Sequence, residues 1–291
     1  MPSIVYLASP ATLPGHPERR KDAFEHDATM NALGPAFAAE GWQLEAVSWD
    51  DPEADWSRFD AAIVGSTWDY WDRHDAFLAQ LARIAGSTRL FNPEPMLRWN
   101  TDKRYLAELA AKGVPTIPTV WLDQPTPAAV AAAFDALGAD DLVVKRQVGA
   151  GAFGQHRLRR GDPIPELPHR MMAQPFLPAI QAEGELSFVV IDGALSHALV
   201  KRAASGDYRI QSFYGGVEQA ITPPAEEVAV ALGVVAKLDE VPLYARVDMV
   251  RDADGALKLM ELEMVEPYLY PLQGPELGAR MAAGVARRLR A

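Results

Sequence analysis

The feature that most constrains the fold is a pair of alternating strands near the C-terminus, Tyr244–Val250 and Leu257–Val265. Successive side chains of a strand point to opposite faces, so charged and apolar residues separate in both segments. The sequence Asp252-Ala-Asp-Gly255 between them favours a hairpin with Asp254 and Gly255 as the central residues of a type I′ turn. Such a turn pairs Ala253 with Ala256 and sets the register of the ribbon.

Counting outward from this turn places Asp248 opposite Glu261 and Arg246 opposite Glu263. The four charged side chains then share one face of the hairpin. The other face is wholly apolar and consists of Val247, Met249, Met260, Leu262 and Met264. A slip of one residue would mix the two faces, so the pattern itself supports this register.

Three carboxylates gathered on one face repel one another, and directly opposed like charges destabilise a sheet. A divalent cation resolves this conflict. Oxygen ligands suit magnesium, which usually keeps waters and substrate phosphates as its other ligands. Asp248, Glu261 and Glu263 are therefore candidate metal ligands. The alternative is a solvated outer face on which Arg246 forms an ordinary cross-strand ion pair.

A glycine-rich segment, Gln147–Gly154, follows the apolar strand Leu142–Lys145. Glycines permit close backbone approach, and such a loop can point N–H groups at phosphate oxygens. The segment is not a Walker loop, because no Gly-Lys-Ser/Thr follows, and no helix clearly opens after it as a dinucleotide-binding loop requires. A flexible hairpin loop explains the glycines equally well.

Several cations could bind a phosphate despite the net charge of −11. Lys145 ends an apolar strand, where an ammonium needs a partner. Lys103 lies on a predicted helix, Met96–Lys112, and a solvated helix face is the alternative location for it. Lys201 and Arg202, with Arg209 nearby, form a basic cluster that either binds an anion or belongs to a solvated loop.

The order of the remaining elements predicts two kinds of architecture. Over residues 1–92, short apolar strands alternate with amphipathic helices, as in an open parallel α/β lobe. Asn92-Pro-Glu-Pro95 interrupts this alternation and is a predicted linker. Beyond it, helices mix with antiparallel hairpins, one of them around Asp192-Gly193, which predicts an α+β organisation.

A polar and aromatic segment follows the strand Ala61–Gly65 of the first lobe. Open α/β sheets bind ligands at this end of their strands, so the segment is predicted to contact substrate. It consists of Ser66, Thr67, Trp68, Asp69 and Tyr70. Alternatively, Trp68 and Tyr70 pack the interface between lobes. His26 and His74 have no partner pattern and are predicted to lie at the surface.

Composition excludes several classes of protein. The chain has no cysteine, which excludes disulfides and Cys-ligated zinc. The acidic balance argues against a nucleic-acid surface. The longest apolar stretch, Val228–Ala236, is far shorter than the ~20 residues that span a bilayer, and the N-terminus resembles no signal peptide. We therefore expect a cytoplasmic protein without nucleic-acid or membrane partners.

In this order, the motifs resemble those of ATP-grasp enzymes over nearly the whole chain. The similarity is greatest to the glutathione synthetase and ribosomal S6 modification group, and within it to the cyclo-ligases that close the D-cycloserine ring from O-ureidoserine. The segments that carry this resemblance are Ser66-Thr-Trp-Asp-Tyr70, Arg98-Trp-Asn-Thr-Asp-Lys103, Val114-Pro-Thr-Ile-Pro-Thr119 and Glu261-Leu-Glu-Met-Val-Glu-Pro267.

The resemblance implies a role for each candidate residue. ATP would be bound by Lys103 and Lys145, by a flap with Gly149, Gly151 and Gly154, by the hinge with Gln174, Phe176 and Leu177, and by Glu185 near the ribose. Two magnesium ions would be bound by Asp248, Glu261 and Glu263. Arg246, Arg209 and Lys201 would act in catalysis, and Gly215 and Gly216 would end a substrate loop. Glu263 departs from the asparagine common at the last metal position.

The implied fold is an ATP-grasp fold behind an N-terminal α/β substrate lobe, residues 1–92. The ATP-grasp region would span 93–291, with a linking helix at 96–112, a small lobe at about 115–175 and a catalytic lobe at about 176–291. The implied activity is a magnesium-ATP-dependent ligase that activates a carboxylate or carbonyl-type group for attack by an amine. The substrate would be a small amino-acid-like molecule, and a homodimer is possible. A small-molecule kinase and a non-catalytic nucleotide-binding protein are the alternatives.

Overall fold

The computed structural model describes residues 2–203 and 215–290. Three sheets organise this part of the chain, and the strands of each sheet lie within one of the three predicted lobes. The limits of the domains themselves stay a prediction. None of the helices in the described ranges combines the length and apolar character needed to cross a lipid bilayer.

The N-terminal sheet is parallel and confirms the predicted α/β lobe. Its strands are β1 (Ser3–Ala8), β2 (Gln43–Ser48), β3 (Ala61–Val64) and β4 (Arg89–Phe91), in the order β2-β1-β3-β4. Helix α1 (Ala23–Ala39) packs on one face and α2 (His74–Ala85) on the other. Because both faces are covered, β1 and β3 are almost wholly apolar.

The predicted helix Met96–Lys112 is wrong as a single element. The chain forms α3 (Glu94–Asn100) and α4 (Tyr105–Ala111), and the residues between them form turns. Lys103 therefore lies in the break, where its N–H donates to the Gln147 carbonyl at 2.9 Å. The break fixes Lys103 beside the glycine-rich segment rather than on a solvated helix face.

The small sheet is antiparallel and has the order β5-β8-β6-β7. Its strands are β5 (Val120–Leu122), β6 (Asp141–Arg146), β7 (His156–Arg159) and β8 (Met171–Pro175). Helix α5 (Pro127–Leu137) covers one face. The Thr126 hydroxyl caps its first turn by accepting from Ala129 N–H at 3.2 Å, and Gly138 ends it with φ +60°.

The large sheet has the order β11-β10-β9-β12-β13 and is antiparallel throughout. Its strands are β9 (Glu185–Ile191), β10 (Ala194–Arg202), β11 (Val217–Ile221), β12 (Tyr244–Arg251) and β13 (Leu257–Glu263). The short helix α6 (Ala179–Ala182) precedes it, and α7 (Ala225–Val235) packs against the apolar face of its strands. The opposite face at the β12–β13 end borders the cavity described below.

The N-terminal and large sheets share one apolar core. Helix α8 (Leu277–Arg290) packs against α1 so closely that a Cβ on Gly278 would lie 2.1 Å from the Ala32 carbonyl oxygen. The Tyr244 hydroxyl donates to the Val64 carbonyl at 2.6 Å, which joins β12 to β3. These contacts hold the C-terminal end of β3 beside the hairpin β12–β13, which carries the candidate metal ligands.

Candidate active site

A cavity of about 520 Å³ lies where the three sheets meet. Its walls come from the small sheet and glycine-rich segment, from β9, β10, β12 and β13, and from the N-terminal lobe. Fourteen of the predicted site residues line it: Trp68, Lys103, Lys145, Gly149, Gly151, Gln174, Phe176, Leu177, Glu185, Lys201, Arg246, Asp248, Glu261 and Glu263.

The hairpin β12–β13 has the predicted register at its charged residues. Arg246 pairs with Glu263, and Asp248 pairs with Glu261. The predicted turn is wrong, because Asp252 N–H donates to the Ala256 carbonyl at 2.9 Å and encloses a loop of residues 253–255. A bulge in β13, opposite Asp248 and Met249 of β12, offsets this difference.

The bulge also corrects the predicted apolar face. Met249 pairs with Leu259, so Met260 is the extra residue of the bulge. Leu259 is fully buried on the apolar face, whereas Met260 lines the cavity beside Val250. The prediction that Met260 belongs to the apolar face is therefore wrong.

The charged face is a buried network rather than a solvated surface. Arg246 binds Asp248 at 2.8 Å and also contacts the Glu263 carboxylate. Lys201 contacts the Glu185 carboxylate and lies 3.4 Å from Asp248 Oδ1. The Ser187 hydroxyl donates to Asp248 Oδ1 at 2.5 Å. The predicted repulsion between acids is thus relieved by cations, and the alternative of a solvated outer face is wrong.

These partners separate the carboxylates into two classes. Burial acts to raise the pKa of Asp248, but Arg246 and Lys201 outweigh it and hold that pKa well below its usual range. Burial raises the pKa of Glu185 to about 8 and, together with nearby Glu261, that of Glu263 to about 7. Lys103 and Lys145 likewise outweigh burial and lower the pKa of Glu261, so Asp248 and Glu261 are the ionised carboxylates of the network.

The two predicted phosphate lysines differ in their partners. Lys103 Nζ lies 2.9 Å from Glu261 Oε1 and donates to the Gly149 carbonyl at 2.5 Å. The Lys145 ammonium forms no hydrogen bond or ion pair in the described ranges, although its side chain lines the same cavity. Burial lowers the pKa of Lys145. Its ammonium is therefore available to an incoming anion.

The donor set of the hairpin fits magnesium. In residues 2–203 and 215–290, no three His, Asp or Glu side chains form a ready-made metal cage. Asp248, Glu261 and Glu263 nevertheless offer only oxygen ligands on one cavity wall, which suits a hydrated ion whose other ligands are phosphate oxygens. These residues would hold the metal, and the ion would supply charge neutralisation there.

The glycine-rich segment forms one lip of the cavity. Gly151 and Gly154 adopt left-handed φ angles of +61° and +69°, which other residues rarely adopt. The exposed ring of Phe153 contacts Trp71 of the N-terminal lobe with 5.0 Å between centroids. The segment thus touches the first lobe across the cavity. Gly154 itself does not line the cavity wall.

An apolar slot lies beside the predicted hinge. The chain leaves β8 at Pro175 and places Phe176 and Leu177 in the wall. The slot is completed by Ile117, Val143, Ile180, Val250 and Met260. Glu185, predicted near a ribose, borders this region but is paired with Lys201. An apolar slot in the wall of a polar cavity suits a nucleotide base.

The segment Ser66–Tyr70 divides into one wall residue and four supporting residues. Only Trp68 lines the cavity, and its Nε1–H donates to the Glu266 carbonyl at 3.1 Å. Tyr70 packs in the apolar core of the N-terminal lobe, and Thr67 is fully buried. Asp69 accepts from Trp49 Nε1–H at 2.8 Å. Direct substrate contact by these four residues has no support in their positions.

The prediction that His26 lies at the surface is wrong. His26 is 2% exposed, and its Nδ1 lies 2.6 Å from the Ser66 hydroxyl oxygen. Burial lowers the pKa of His26, so the ring is neutral near pH 7. His74 is half-buried and bonds the Thr101 hydroxyl at 2.9 Å. Both histidines hold loops in place.

The predicted basic cluster is split by strand alternation. Lys201 points into the cavity, whereas the adjacent Arg202 is exposed and bonds Gln219. Arg209 and most of the predicted substrate loop lie outside the described residues. Gly215 and Gly216 are described but do not line the cavity.

Sequence reasoning missed part of the substrate side of the cavity. Glu266 is 7% exposed, and burial together with Glu263 raises its pKa well above the usual range. The missed residues are Arg20, Lys21, Glu25, Glu218, Glu266, Tyr268 and Tyr270. Glu266 could have been found, because it follows Glu261 and Glu263 in a quoted motif. Glu25 lies on α1 and Glu218 on β11, whereas the other four come from irregular segments that carry no periodic signal.

Solved ATP-grasp ligases share this fold. The D-alanine–D-alanine ligase from Bacillus anthracis is similar over 100% of this chain and 97% of its own, with a TM-score of 0.69 at 16% identity. The ATP-grasp ligase PsnB, complexed with a variant of its minimal precursor, Mg and ADP, covers 98% of both chains with a TM-score of 0.64 at 19% identity. These likenesses show the fold, which is the predicted ATP-grasp fold.

Closer relatives identify the family. Residues 5–92 match the N-terminal domain of the D-cycloserine synthetase DcsG. The cycloserine biosynthesis protein DcsG of Streptomyces lavendulae is 34% identical over 91% of this chain and 95% of its own. A crystal structure of D-cycloserine synthetase DcsG covers 99% of both chains, with a TM-score of 0.84 at 30% identity. The chain belongs to the DcsG family and is an ATP-dependent ligase that forms C–N bonds.

Proposed function

We propose that this enzyme uses magnesium-ATP to phosphorylate a carboxylate or carbonyl-type oxygen of a small amino-acid-like substrate, and that a nitrogen then displaces the phosphate. The observation that carries this proposal is the pairing of two cavity walls. One wall presents three carboxylates interleaved with Arg246 and Lys103. The other presents the unpaired ammonium of Lys145.

The nucleotide would lie between these walls. Its base fits the apolar slot beside Phe176 and Leu177, and its phosphates then reach Lys103 and Lys145. Asp248, Glu261 and Glu263 would hold magnesium, which neutralises phosphate charge when bound. Because Lys145 pairs with no acid in the described ranges, it binds phosphate without first breaking an ion pair.

The proposed chemistry has two steps. The substrate oxygen attacks the γ-phosphorus, and the bond from that phosphorus to the β-phosphate oxygen breaks, which releases ADP. A nitrogen of the same or a second molecule then attacks the activated carbon. The bond to the phosphate oxygen breaks, and the nitrogen loses a proton. Arg246 would stabilise charge on the transferred group, and the lip from Gly149 to Gly154 would exclude water.

The substrate side of the cavity favours a small molecule with charges of both signs. Arg20 lies over the Trp68 ring at 5.7 Å from its centroid and pairs with Asp22 at 2.6 Å. Glu25 and Tyr268 complete this side. Both named relatives concern cycloserine, so we propose ring closure to a cycloserine-like product, with O-ureidoserine as the first substrate to test. The ring nitrogen then carries the carbamoyl group of O-ureidoserine, and its hydrolysis by water to carbon dioxide and ammonia gives cycloserine.

A phosphate-release assay distinguishes this function from its alternatives. The protein is incubated with magnesium-ATP and a panel of amino acids that includes both enantiomers of O-ureidoserine. We expect ADP and free phosphate in equal amounts, with a cyclic or amide product by mass spectrometry. ADP formation with a stable phosphorylated substrate would establish a kinase instead. If no amino acid of the panel led to ADP formation, the protein would be a nucleotide-binding module without catalysis.

Lys145→Met provides the matched control for this assay. Removal of Lys145 leaves no acid without its partner, so we expect unchanged thermal stability. Loss of a charged contact to phosphate weakens ATP binding by about tenfold to 100-fold. Unchanged ATP affinity in this variant would contradict the proposed position of the phosphates.

A further inference from the structure

The outer edge of β13 has no neighbouring strand. β13 is the last strand of its sheet: its inner side pairs with β12, and in residues 2–203 and 215–290 its outer side has only an isolated bridge between Leu259 and Thr116. An uncovered edge leaves backbone N–H and C=O groups without partners and allows the strand to shift. This strand carries Glu261 and Glu263, whose positions must be fixed if they are to bind a metal.

One side chain replaces part of the missing strand. The Asn100 amide nitrogen donates to the Leu262 carbonyl at 2.7 Å, and Met264 N–H donates to the Asn100 amide oxygen at 2.7 Å. These two backbone groups lie on either side of Glu263. A side-chain amide has one acceptor and a donor group, like the backbone of a strand residue, so Asn100 completes the edge in the same pattern.

The rest of the edge is covered from the same part of the chain. The Tyr105 hydroxyl accepts from Leu262 N–H at 3.0 Å. The Pro115 carbonyl accepts from Leu259 N–H at 2.7 Å. Asn100 and Tyr105 are 7% and 2% exposed, so water does not readily substitute for them. Buried backbone groups left unpaired are costly, which makes this cover selective for one register.

The covering segment also carries a phosphate lysine. Lys103 lies between Asn100 and Tyr105, and its ammonium binds Glu261 on the strand they cover. The segment therefore contacts both the backbone of β13 and the side chain of Glu261 on that strand. A shift of the strand along this edge would break both sets of contacts together.

We propose that Asn100 is a positioning residue for magnesium, and that it holds Glu263 and Glu261 in place by completing the edge of β13. This inference rests on the proposed function, because it assumes that those acids bind the metal. Loss of an outer-shell partner typically weakens metal binding by about tenfold to 100-fold. Tyr105 supports the same strand through one bond, so its hydroxyl contributes less.

Manganese binding tests the proposal without any turnover. Free Mn²⁺ is followed by electron paramagnetic resonance during titration of the protein with and without ADP. Asn100→Ala and the isosteric Asn100→Asp, which turns a carboxylate oxygen toward the Leu262 carbonyl, should bind Mn²⁺ with ADP about tenfold to 100-fold more weakly. Tyr105→Phe, which retains the ring and its packing, should show a smaller loss in the same direction.

Thr88→Val is the matched control, because it also deletes a buried side-chain bond to a carbonyl, from Thr88 Oγ1 to Phe59 at 2.6 Å in the N-terminal lobe. It should lower thermal stability without changing Mn²⁺ affinity. Wild-type affinity in folded Asn100 variants, or in Tyr105→Phe if those do not fold, would overturn the proposal. Absence of Mn²⁺–ADP binding by the wild-type protein would instead refute the proposed function.

Discussion

Two hairpins of the large sheet contain the same Asp-Gly dipeptide but form different turns. In β9–β10, Asp192 and Gly193 adopt φ angles of +51° and +80°, and Ile191 pairs with Ala194. This is the two-residue loop that Asp-Gly predicts. In β12–β13, the same dipeptide ends a three-residue loop closed by Asp252 and Ala256, with only Gly255 at positive φ among residues 252–256.

Each hairpin also contains a bulge, and the bulges restore the register at the cavity. In β9–β10 the irregularity lies between Leu195 and His197, and Lys201 then pairs with Glu185. In β12–β13 it lies beside Met260, and Glu261 then pairs with Asp248. Charged groups that must find partners in a buried wall therefore determine the register more strongly than the turn does.

The largest expected effect is a loss of ATP turnover, which should be much greater for a substitution in β12–β13 than for one in β9–β10. Glu261→Gln removes a proposed metal ligand and the partner of Lys103, so ATP turnover should fall on the order of 10³-fold. Glu185→Gln, in the other hairpin, keeps an acceptor for Lys201 and should cost about tenfold. ADP release at saturating ATP measures both, with thermal unfolding as the control for folding. Equal losses would show that the two hairpins share one catalytic role.

The bulge beside Met260 makes two neighbouring residues unequal. Leu259 is fully buried, so Leu259→Gln should lower the free energy of unfolding by about 3 kcal/mol. Met260 faces the cavity, so Met260→Gln should cost less than about 1 kcal/mol. Urea unfolding gives both values. If the larger loss occurred in Met260→Gln, the regular register expected from a type I′ turn would be correct after all.

The same contrast explains what the sequence could and could not reveal. Faces of strands were predictable because burial forces apolar residues such as Val247 and Leu262 to one side, and charges to the other. The prediction had the wrong turn and did not include the bulge. The two errors compensate each other, so the predicted pairing of Asp248 with Glu261 is correct. The positions of residues in loops follow no period, so only Trp68 of its segment reached the cavity wall.

The break between α3 and α4, after Asn100, could not be predicted from the sequence pattern either. Its residues have helical spacing, and the side-chain amide that covers β13 acts over a sequence separation of more than 160 residues. The burial of His26 was missed because its partner, Ser66, lies on a different element. Long-range polar contacts of this kind leave no signal in a local pattern.

A smaller effect should appear at the turn of β9–β10. Burial acts to raise the pKa of Asp192, but Arg287 and Arg288 on α8 outweigh it and lower that pKa. The carboxylate contacts lie at 2.7 and 2.8 Å. Asp192→Asn retains a residue that tolerates positive φ, so it tests the charge rather than the turn. Because these groups are partly solvated, we expect a loss of about 1 kcal/mol at pH 7.

This loss should depend on pH in one direction. A lowered pKa in the folded state contributes stability above the ordinary aspartate pKa of about 4, and that contribution disappears as the pH falls through the folded value. The unfolding free energies of the wild-type protein and Asp192→Asn should therefore converge as the pH falls below about 4. A difference that persisted at the lowest pH at which both fold would assign the loss to the turn.

The smallest expected effect tests whether the turn of β12–β13 matters at all. Deletion of Ala253 leaves Asp254 and Gly255 between Asp252 and Ala256, the two-residue loop already present in β9–β10. The pairing of Asp252 with Ala256 is retained, so the bulge and the register at Asp248 should not change. We expect a stability change below about 0.5 kcal/mol and ATP turnover within about twofold of wild type. A loss of turnover comparable to that of Glu261→Gln would mean that the turn, and not the buried charges, determines where the acids lie.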